Sequence, residues 1–577
     1  MKGSILFLLS LLFSPAFSQA PITPFEKSEG KETATYPECI NFYKKLDQAS
    51  NKISIRVMGK SDAGYPYHVI LFSNDGRFNP AQWHAQHKLV ILVINGIHPG
   101  EPDGVDASMM LIRDLNTGKI RMPENIALAI IPIYNVGGAL NRNSYSRVNQ
   151  NGPASYGFRG NSQNLDLNRD FTKSDSRDSR SFAEIFHWLD PDIQLDNHVS
   201  DGADYQYTMT LISSQWNKLG GELGRYSHDS FDPLLYRAME KRGWPMCPYV
   251  NVEDEDPGKG WREFYDPPRY SSGFAALFHT LGFIAETHML KPFTDRVLST
   301  YVLMQCLIES ASAKASDILE RRKKDILSDE HRSAFDLKWE PDNQRADTIF
   351  FRGYTADRKP SEITGRPRLF YDHNRPFERR VPYYDYFTST QSIEAPDEYI
   401  IPQGWHEVVD LLKLNGVSVE QMKKDIMLKV QAYHIDEYHS LSTPYEKHHK
   451  NFNTKVSTSL QNIKFQKGDF VIPTNQPNKR FLVEMLEPIA DDSYFSWNFF
   501  DAILQQKEGY SDYRWEDIAA NWLHQHPELK SALDEKIKSD SSFANNPNAQ
   551  LAFIYKRSPY YEPAHLRYPV YRLLISH

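Results

Sequence analysis

The chain has 577 residues, of which 40% are hydrophobic and 24% charged, and its formal net charge is −8. Because this length exceeds the usual size of a single hydrophobic core, two domains are expected. The negative charge argues against nucleic acid as a partner, since neutralising phosphates requires clustered lysine and arginine. Three cysteines are too few for a disulfide framework and are interpreted as packing residues.

Residues 1–18 are typical of a signal peptide. Lys2 supplies a positive start, residues 5–13 form a short apolar run, and Ala16-Phe17-Ser18 offers small residues at cleavage positions. The apolar run is too short to cross a bilayer, and no other segment of the sequence suggests a membrane span. The sequence therefore predicts a secreted or periplasmic protein whose mature chain begins near Gln19.

Between about residues 35 and 320, apolar strand-like runs alternate with helical patterns, which is typical of an α/β domain. Several predicted strands are continuous apolar runs, as expected of strands that are covered on both faces. The predicted strands are 89–95, 126–133, 193–197, 207–212 and 282–287. The predicted helices are 103–115, 179–189 and a long one at about 294–324.

The composition of the chain changes after about residue 330. Residues 335–480 are rich in tyrosine, proline and β-branched residues, which predicts mostly β-structure with a helical insert near 405–424. Towards the C-terminus the pattern becomes more helical. The sequence thus predicts a signal peptide at 1–18, an α/β catalytic domain at 19–330 with a mixed central sheet flanked by helices, and a second, α+β or mostly β region of open role at 331–577.

The most informative stretch is Asn95-Gly-Ile-His98-Pro-Gly-Glu101, which follows a predicted strand directly. An imidazole nitrogen and a carboxylate oxygen at this spacing can share one divalent cation, and zinc accepts both ligand types. Pro99 and Gly100 argue against a helix interior. The pair is therefore expected on a turn at the carboxyl end of a strand, where open α/β sheets bind their ligands. Alone it is a weak signal, because His-x-x-Glu often arises by chance.

Two later segments strengthen this pair. His198 also follows a predicted strand, and two histidines with one glutamate leave a fourth coordination position open on zinc. Asn168 and Arg169 lie in a short polar segment and can clamp a carboxylate, because arginine presents a planar donor fork and asparagine adds a neutral donor. The alternative interpretation of Arg169 is a local Arg–Asp surface pair, which contributes little.

Two further residues bear on catalysis. Glu286 ends an apolar strand, where a carboxylate beside a cation can act as a general base. The alternative is an ordinary glutamate at a strand end. Tyr270 lies on a loop that contains glycine and serine, and it is the weakest of these signals because loop tyrosines are common.

The order of these segments resembles that of the zinc carboxypeptidases, the M14 metallopeptidases related to pancreatic carboxypeptidase, in an exported bacterial form. That family carries His-x-x-Glu after a strand, then Asp-x-Asn-Arg, a third-ligand histidine, a tyrosine loop and a glutamate base. This chain has, in the same order, His98-Pro-Gly-Glu101, Asp166-Leu-Asn168-Arg169, His198, Tyr270 and Glu286. The resemblance covers roughly residues 40–320 and implies a carboxypeptidase-like fold.

The resemblance implies a role for each matched residue. Zn²⁺ would be bound by His98, Glu101 and His198, and Asp166 would orient a ligand histidine. Glu286 would deprotonate a metal-activated water and later protonate the leaving amine.

The resemblance also implies substrate contacts. Asn168 and Arg169 would hold the C-terminal carboxylate of the substrate, and Tyr270 would close over it. The family stabilises the oxyanion with an arginine that precedes the Asn-Arg pair. The candidates for this arginine are Arg142, Arg147 and Arg159, with Arg147 preferred because Ser146-Arg147-Val-Asn149 is most similar to the family's arginine segment.

The chain departs from the family pattern in two places. The usual Asn-Pro-Asp-Gly before the arginine segment is here Asn135-Val-Gly-Gly138. The interval from tyrosine to glutamate is shorter than in the pancreatic enzymes, which leaves Tyr265 as the reserve for Tyr270. Two histidine pairs, His84-x-x-His87 and His448-His449, lack supporting carboxylates in the sequence and are interpreted as surface residues.

Three functions are compatible with these residues. The leading hypothesis is a zinc metallocarboxypeptidase that hydrolyses C-terminal peptide bonds. The second keeps the zinc site but acts on peptidoglycan stem peptides as a peptidase or amidase, or deacylates amino acids. The third is an inactive binding protein that retains the fold; the ligand set together with Glu286 counts against it, since a binding module needs no base.

Overall fold

The computed structural model describes residues 20–252 and 255–574. The predicted signal peptide at 1–18 lies outside these ranges. No helix within them is both long and apolar enough to cross a bilayer.

The strands of the described residues form four sheets. In chain order they are β1 (Ile53–Lys60), β2 (Pro66–Phe72), β3 (Leu89–Asn95), β4 (Ile126–Ile131), β5 (Ile193–Ser200), β6 (Met209–Ser213), β7 (Met246–Pro248), β8 (Trp261–Arg262), β9 (Leu281–His288), β10 (Ala334–Pro341), β11 (Asp347–Pro360), β12 (Pro367–Tyr384), β13 (Phe387–Glu394), β14 (Glu398–Ile401), β15 (Glu420–Gln421), β16 (Ile426–Ser440), β17 (Asn451–Phe465), β18 (Phe470–Pro473) and β19 (Tyr571–Leu573).

The α-helices connect and cover these strands. In chain order they are α1 (Pro24–Lys27), α2 (Tyr36–Ala49), α3 (Pro80–Ala85), α4 (Asp103–Asn116), α5 (Val136–Leu140), α6 (Arg177–Leu189), α7 (Trp216–Leu219), α8 (Gly221–Tyr226), α9 (Asp232–Lys241), α10 (Ser271–Ala276), α11 (Phe293–Ala313), α12 (Ala315–His331), α13 (His406–Leu414), α14 (Lys479–Leu486), α15 (Asp512–Gln525), α16 (Pro527–Ser539), α17 (Ser541–Ala544) and α18 (Pro547–Tyr555).

An eight-stranded mixed sheet forms the centre of the N-terminal half, in the order β1-β2-β4-β3-β5-β9-β6-β7. The four central strands β4, β3, β5 and β9 are parallel to one another. Strands β2 and β6 run antiparallel to the outer members of this group. The predicted fold class, a mixed central sheet flanked by helices, is confirmed. Because the four parallel strands end at the same edge, residues at the carboxyl ends of β3, β5 and β9 are brought together.

Helices cover both faces of the sheet. Every residue of β3 is buried, as the continuous apolar run predicts. Helices α2, α4 and α11 contribute to the hydrophobic core on one face, and α6 and α10 contribute to the core on the other. The prediction of a single long helix at 294–324 is wrong. The segment is divided into α11 and α12 at Lys314, whose φ of −121° is not helical, and neither glycine nor proline marks the break.

The C-terminal region is mostly β with helices near its end, as predicted. The helical insert α13 stops at Leu414, ten residues before the predicted limit of 424, and Gly416 follows it with a φ of 75°. A glycine in the left-handed region just past the last turn is a common helix terminator. Two long antiparallel hairpins, β11–β12 and β16–β17, are the main features of this region.

The C-terminal region packs directly on the N-terminal half. One hydrophobic cluster contains α6 and α10 together with α13 and α14. The rings of Phe278 and Phe481 stack with centroids 5.2 Å apart, and the buried Arg480 donates to the carbonyl oxygens of Leu219 and Ala276 at 3.0 and 3.3 Å. The domain boundary at residues 330 and 331 stays a prediction, but the residues on its two sides share this core.

Candidate active site

His98 and Glu101 lie on a tight turn between β3 and α4. The Glu101 backbone N–H donates to the His98 carbonyl at 2.8 Å, which brings both side chains to the same side. Gly100 is needed for close approach, because a Cβ there would lie 2.6 Å from Cδ of Arg147. The predicted turn at the carboxyl end of a strand is therefore present, and its proline and glycine permit the geometry.

The third candidate ligand comes from the neighbouring strand. His198 lies on β5, and its Nδ1 is 3.2 Å from Oε2 of Glu101. Nδ1 of His98 is 3.2 Å from Oε1 of the same carboxylate. All three side chains are buried, and their candidate ligand atoms lie within 4.8 Å of one another. The three predicted metal ligands are thus brought together around one point.

These residues fit a zinc ion. Ligand atoms around tetrahedral zinc, with bonds of about 2.1 Å, are separated by about 3.4 Å. The observed 3.2 Å separations are close to that value. Nδ1 of His98 is buried without a hydrogen-bond partner, so its lone pair is free to face a cation. Two imidazoles and one carboxylate leave a further position open, which is typical of catalytic zinc.

Each ligand histidine also faces an outer carboxylate. Nε2 of His98 is 2.9 Å from Oδ1 of Asp166, which orients the ring so that Nδ1 points at Glu101. Although burial raises it, the pKa of Asp166 is held below its usual value, chiefly by His98 and by Arg159. Nε2 of His198 lies 2.9 Å from Oδ2 of Asp196. Asp196 is not among the residues predicted from the sequence, although its position two residues before His198 on a strand places both side chains on one face.

The charge of the Glu101 carboxylate is stabilised by its surroundings. Burial raises the pKa of Glu101, but Arg147 and His98 together hold it well below its usual value. The Val199 backbone N–H also donates to Oε2 of Glu101 at 3.0 Å. An ionised carboxylate fixed in this way is prepared to bind a cation.

Glu286 faces the ligand set across the sheet. It is paired in register with His198 on the adjacent parallel strand β5, so the two side chains point to the same face. Burial is the main cause that raises the pKa of Glu286, to about 8, and Glu101 and Asp196 add to it. A buried carboxyl group with a raised pKa is suited to accept and release a proton near neutral pH.

The predicted clamp residues lie in a 3₁₀ turn at Leu167–Arg169. Asp166 begins the turn and accepts from the Asn168 backbone N–H at 2.9 Å. The Arg169 Nη1 group donates to the Asn168 carbonyl at 2.8 Å, and the guanidinium lies 4.3 Å from the centroid of the Tyr270 ring. Asn168, Arg169, Tyr270 and Glu286 line one cavity of about 410 Å³ with the three candidate metal ligands.

Comparison with known proteins relates part of this chain to a known family. Residues 39–192 match the sequence model of the zinc carboxypeptidase family of M14 peptidases, and this stretch contains the His98–Glu101 turn and the Asn168–Arg169 pair. Residues 39–192 are therefore similar to an M14 zinc carboxypeptidase domain. It is also 22% identical over 510 residues to "Carboxypeptidase 2" of Trichophyton equinum, covering 84% of this chain and 88% of the relative.

A further relative is similar over nearly the same share of the chain. "Probable carboxypeptidase 2" of Arthroderma benhamiae is 22% identical over 505 residues, covering 83% of this chain and 89% of the relative. Since residues 1–330 make up a smaller share of the chain than this, the similarity extends into the C-terminal region. Among solved structures, carboxypeptidase A of Helicoverpa armigera covers 49% of this chain and 74% of its own, with 14% identity and a TM-score of 0.37.

The two candidate tyrosines, Tyr270 and its reserve Tyr265, have different positions relative to the cavity. Tyr270 lines the cavity and precedes α10, and its ring contacts Arg169 and the edge of Phe264. Tyr265 stacks instead on Phe387 of the C-terminal region at 5.6 Å and is not among the residues lining the cavity. The geometry therefore favours Tyr270 over its reserve.

The three candidate arginines have different surroundings. Arg142 donates to the Ser155 carbonyl at 2.6 Å. The preferred Arg147 uses its guanidinium on Glu101 at 2.8 Å, on Gln150 and on the Val199 carbonyl, and it lines a neighbouring cavity. Arg159 lines the same cavity as the metal ligands and Glu286, and its side chain is 45% exposed.

A second group with metal-ligand spacing occurs in the described residues, formed by His228, Asp347 and Asp385. The two ring nitrogens of His228 face Asp229 at 2.7 Å and Asp385 at 3.1 Å. Burial lowers the pKa of His228, but the two aspartates outweigh it and raise the pKa to about 9. A protonated imidazole paired with carboxylates explains this group without a metal.

The interpretation of the two histidine pairs as surface residues agrees with the exposure of His87 and His449 but not with the position of His448. His84 contacts the Leu189 carbonyl through Nε2 at 2.9 Å. His448 is half-buried, and its Nε2 lies 2.7 Å from Oδ2 of Asp175 in the N-terminal half. For His448 the surface interpretation is wrong, because a partner distant in sequence covers it. The cysteines Cys39, Cys247 and Cys306 are free and buried, as the packing interpretation predicts.

Proposed function

We propose that this protein is a zinc-dependent metallocarboxypeptidase that hydrolyses C-terminal peptide bonds. One observation carries the proposal: the His98–Glu101–His198 group, Glu286 and the Asn168–Arg169 pair all line a single cavity. A carboxypeptidase removes the last residue of its substrate. The metal group and the base must therefore lie about one residue away from the pair that binds the terminal carboxylate. Nothing in the described residues favours the peptidoglycan, deacylase or inactive alternatives over this function.

The metal centre would be formed by His98, Glu101 and His198, with Asp166 and Asp196 holding the two rings. A zinc ion held by these residues would supply Lewis-acid chemistry to the scissile carbonyl and to the attacking water. The outer carboxylates keep each imidazole in the orientation that presents a lone pair to the ion. Burial of the group excludes competing solvent from its inner side.

Glu286 would act as the proton-transfer group. Its carboxylate accepts the proton of the attacking water and passes it to the amine that leaves when the peptide bond breaks. Its position opposite His198 on β9 places it beside the metal ligands without making it one of them.

The Asn168–Arg169 pair would bind the terminal carboxylate of the substrate. Within the described residues, Nη2 of Arg169 makes no hydrogen bond, and this leaves one arm of the fork for substrate. A guanidinium and an amide together recognise a carboxylate by charge and by direction. This contact would set the scissile bond at a fixed distance from the chain terminus.

Arg159 is proposed to stabilise the oxyanion in place of Arg147. Its guanidinium is held at one side by Oδ2 of Asp166 at 2.9 Å and reaches the cavity that contains Glu286. Arg147 contacts Glu101 more closely, at 2.8 Å against 3.7 Å for Arg159, so the charge of Arg147 mainly fixes a metal ligand. Donors fixed in advance near a developing negative charge contribute strongly to catalysis.

The two arginines are distinguished by their response to zinc. We expect Arg159→Ala to lower kcat by about 10²-fold even at saturating zinc, because an oxyanion donor is lost. Arg147→Ala is expected to weaken zinc binding by about 10-fold and to recover most of its kcat when zinc is added. Zinc titrations of kcat for both variants make the measurement. Recovery by zinc of Arg159→Ala rather than Arg147→Ala would return the oxyanion role to Arg147.

The carboxypeptidase activity is tested by Arg169→Ala. We expect kcat/KM to fall by about 10²-fold for a peptide with a free C-terminal carboxylate, because a charge-assisted contact is lost. Activity on the same peptide with an amidated C-terminus, already low, should change by less than about threefold on the same reasoning.

The matched control is Arg345→Ala, since Arg345 also lies over a tyrosine, 4.0 Å from the Tyr386 ring, but outside the lining of the cavity. It should leave both rates unchanged. Equal loss on free and amidated peptides in Arg169→Ala would contradict a carboxypeptidase and indicate an endopeptidase or an amidase.

A further inference from the structure

The turn of the β16–β17 hairpin reaches the active site from the C-terminal region. This segment, Tyr445–His448, is called the 445–448 turn below. Tyr445 and His448 exchange backbone hydrogen bonds of 2.8 and 3.1 Å and so enclose Glu446 and Lys447. The hairpin belongs to residues 331–577, yet its end contacts the polar segment that contains Asp166 and Arg169.

The backbone of the 445–448 turn is strained. Glu446 and Lys447 have φ values of 47° and 76°, the left-handed region that two-residue hairpin turns of this kind usually fill with asparagine and glycine. Residues with a Cβ persist in this region where surrounding contacts over-determine them. The contacts that hold the 445–448 turn in this conformation therefore indicate what the turn does in the folded protein.

Glu446 supports the segment that holds a metal ligand. Its Oε2 accepts from the Asp166 backbone N–H at 2.7 Å. Asp166 in turn accepts from Nε2 of His98 at 2.9 Å. His448 adds a second anchor through Asp175 at 2.7 Å. The turn thus fixes the polar segment on both sides of the Asn168–Arg169 pair.

Tyr445 holds the guanidinium of Arg169 directly. The Nε group of Arg169 donates to the Tyr445 hydroxyl at 2.9 Å, while Nη1 donates to the Asn168 carbonyl. The Tyr445 ring is itself held in a stack on the fully buried Trp497, with centroids 6.0 Å apart and planes at 14°. With two of its nitrogens occupied, Arg169 has a fixed orientation in which Nη2 remains for a ligand.

The same region also fixes the loop that carries Tyr270. Asp492, which is fully buried, accepts from the Arg269 backbone N–H at 2.9 Å and from its guanidinium at 2.6 Å. Tyr270 follows immediately and lies against Arg169. The C-terminal region therefore contacts both sides of the clamp.

We propose that the 445–448 turn is a positioning element of the active site, in which the Tyr445 hydroxyl orients Arg169 for the substrate's terminal carboxylate and Glu446 fixes Asp166. This inference rests on the proposed clamp role of Arg169. It assigns the C-terminal region a direct part in substrate recognition.

Tyr445→Phe tests the first contact, since it removes the hydroxyl and keeps the ring on Trp497. We expect KM for a peptide with a free C-terminal carboxylate to rise about 5- to 10-fold with kcat changed less than about twofold, because one hydrogen bond to a charged group is lost. The amidated peptide should show no change in KM. Tyr438→Phe, on the same hairpin but packed on Phe495, is the matched control and should behave as wild type.

The wild-type ratio of free to amidated activity is measured first. If wild type prefers the free acid and Tyr445→Phe leaves its KM unchanged, the inference is wrong while the proposed function stands. If wild type shows no preference for the free acid, the clamp role of Arg169 is wrong and the inference fails with it.

Glu446→Ala and Glu446→Gln test the second contact independently of hydrolysis. Glutamine keeps an acceptor oxygen for the Asp166 N–H, whereas alanine does not. We expect the alanine variant to weaken zinc binding about 10-fold, the size typical of lost outer contacts to ligands, and the glutamine variant to restore it. Competition with a fluorescent zinc chelator gives both constants. If the alanine variant and wild type bind zinc equally well, at unchanged melting temperature, the proposal that Glu446 fixes Asp166 for metal binding is wrong.

Discussion

Glu286→Gln is expected to lower kcat by about 10³-fold while leaving the zinc content of the protein unchanged, because general acid–base catalysis contributes factors of this size. Glutamine has nearly the shape of glutamate but cannot accept the proton of the attacking water. Since Glu286 is not a member of the ligand group, zinc binding has no reason to change. Steady-state kinetics together with metal analysis of the purified variant provide the measurement.

The matched control for this prediction is Glu263→Gln. Glu263 is a buried carboxyl group that lines a different cavity, beside His228 and Asp385. Burial, with Asp385 adding to it, raises the pKa of Glu263 well above its usual value, which favours the neutral form that glutamine resembles. Its variant should keep wild-type activity. A Glu286→Gln protein with wild-type kcat would exclude Glu286 as the base.

His198→Ala is expected to remove zinc on dialysis and to lower kcat/KM by at least about 10³-fold, since the Lewis acid is lost with it. The remaining group, His98 and Glu101, offers one histidine and one carboxylate, too few for a catalytic zinc site with three protein ligands. Wild type should also gain thermal stability when zinc is added, because a ligand that binds the folded state selectively stabilises it. Metal analysis and melting curves with and without zinc make the measurement.

His228→Ala is the control for this second prediction. His228 also lies among carboxylates at metal-ligand spacing, but its geometry is that of an ion pair. Its variant should retain one zinc per chain and full activity. Two zinc ions per wild-type chain, falling to one in His228→Ala, would contradict the ion-pair interpretation and reveal a second metal site.

Much of the central sheet could be predicted from local pattern. The strand at Leu89–Asn95 is a continuous apolar run with turn residues directly after it, so length and composition both indicate a buried strand. The helix division at Lys314 could not be predicted, because helix propensity continues across it and only packing separates α11 from α12.

In the candidate site, too, some features could be predicted from the sequence and others could not. The proximity of His98 and Glu101 could be predicted from the sequence, since both residues belong to one turn. Asp196 could have been found from its position two residues before His198 on the same strand. The choice between Arg147 and Arg159 could not, because it depends on how closely each guanidinium approaches Glu101 and on which of them lines the cavity that contains Glu286.

The sequence by itself determined the α/β class, the buried strands and the residue types of a zinc peptidase site. These follow from short-range pattern, because strand burial and turn geometry are encoded within a few neighbouring residues. Only the tertiary structure decided how the C-terminal region takes part, through Tyr445 on Arg169 and Glu446 on Asp166. Those contacts join residues more than 270 positions apart, and no local periodicity records a contact that exists only once the chain has folded.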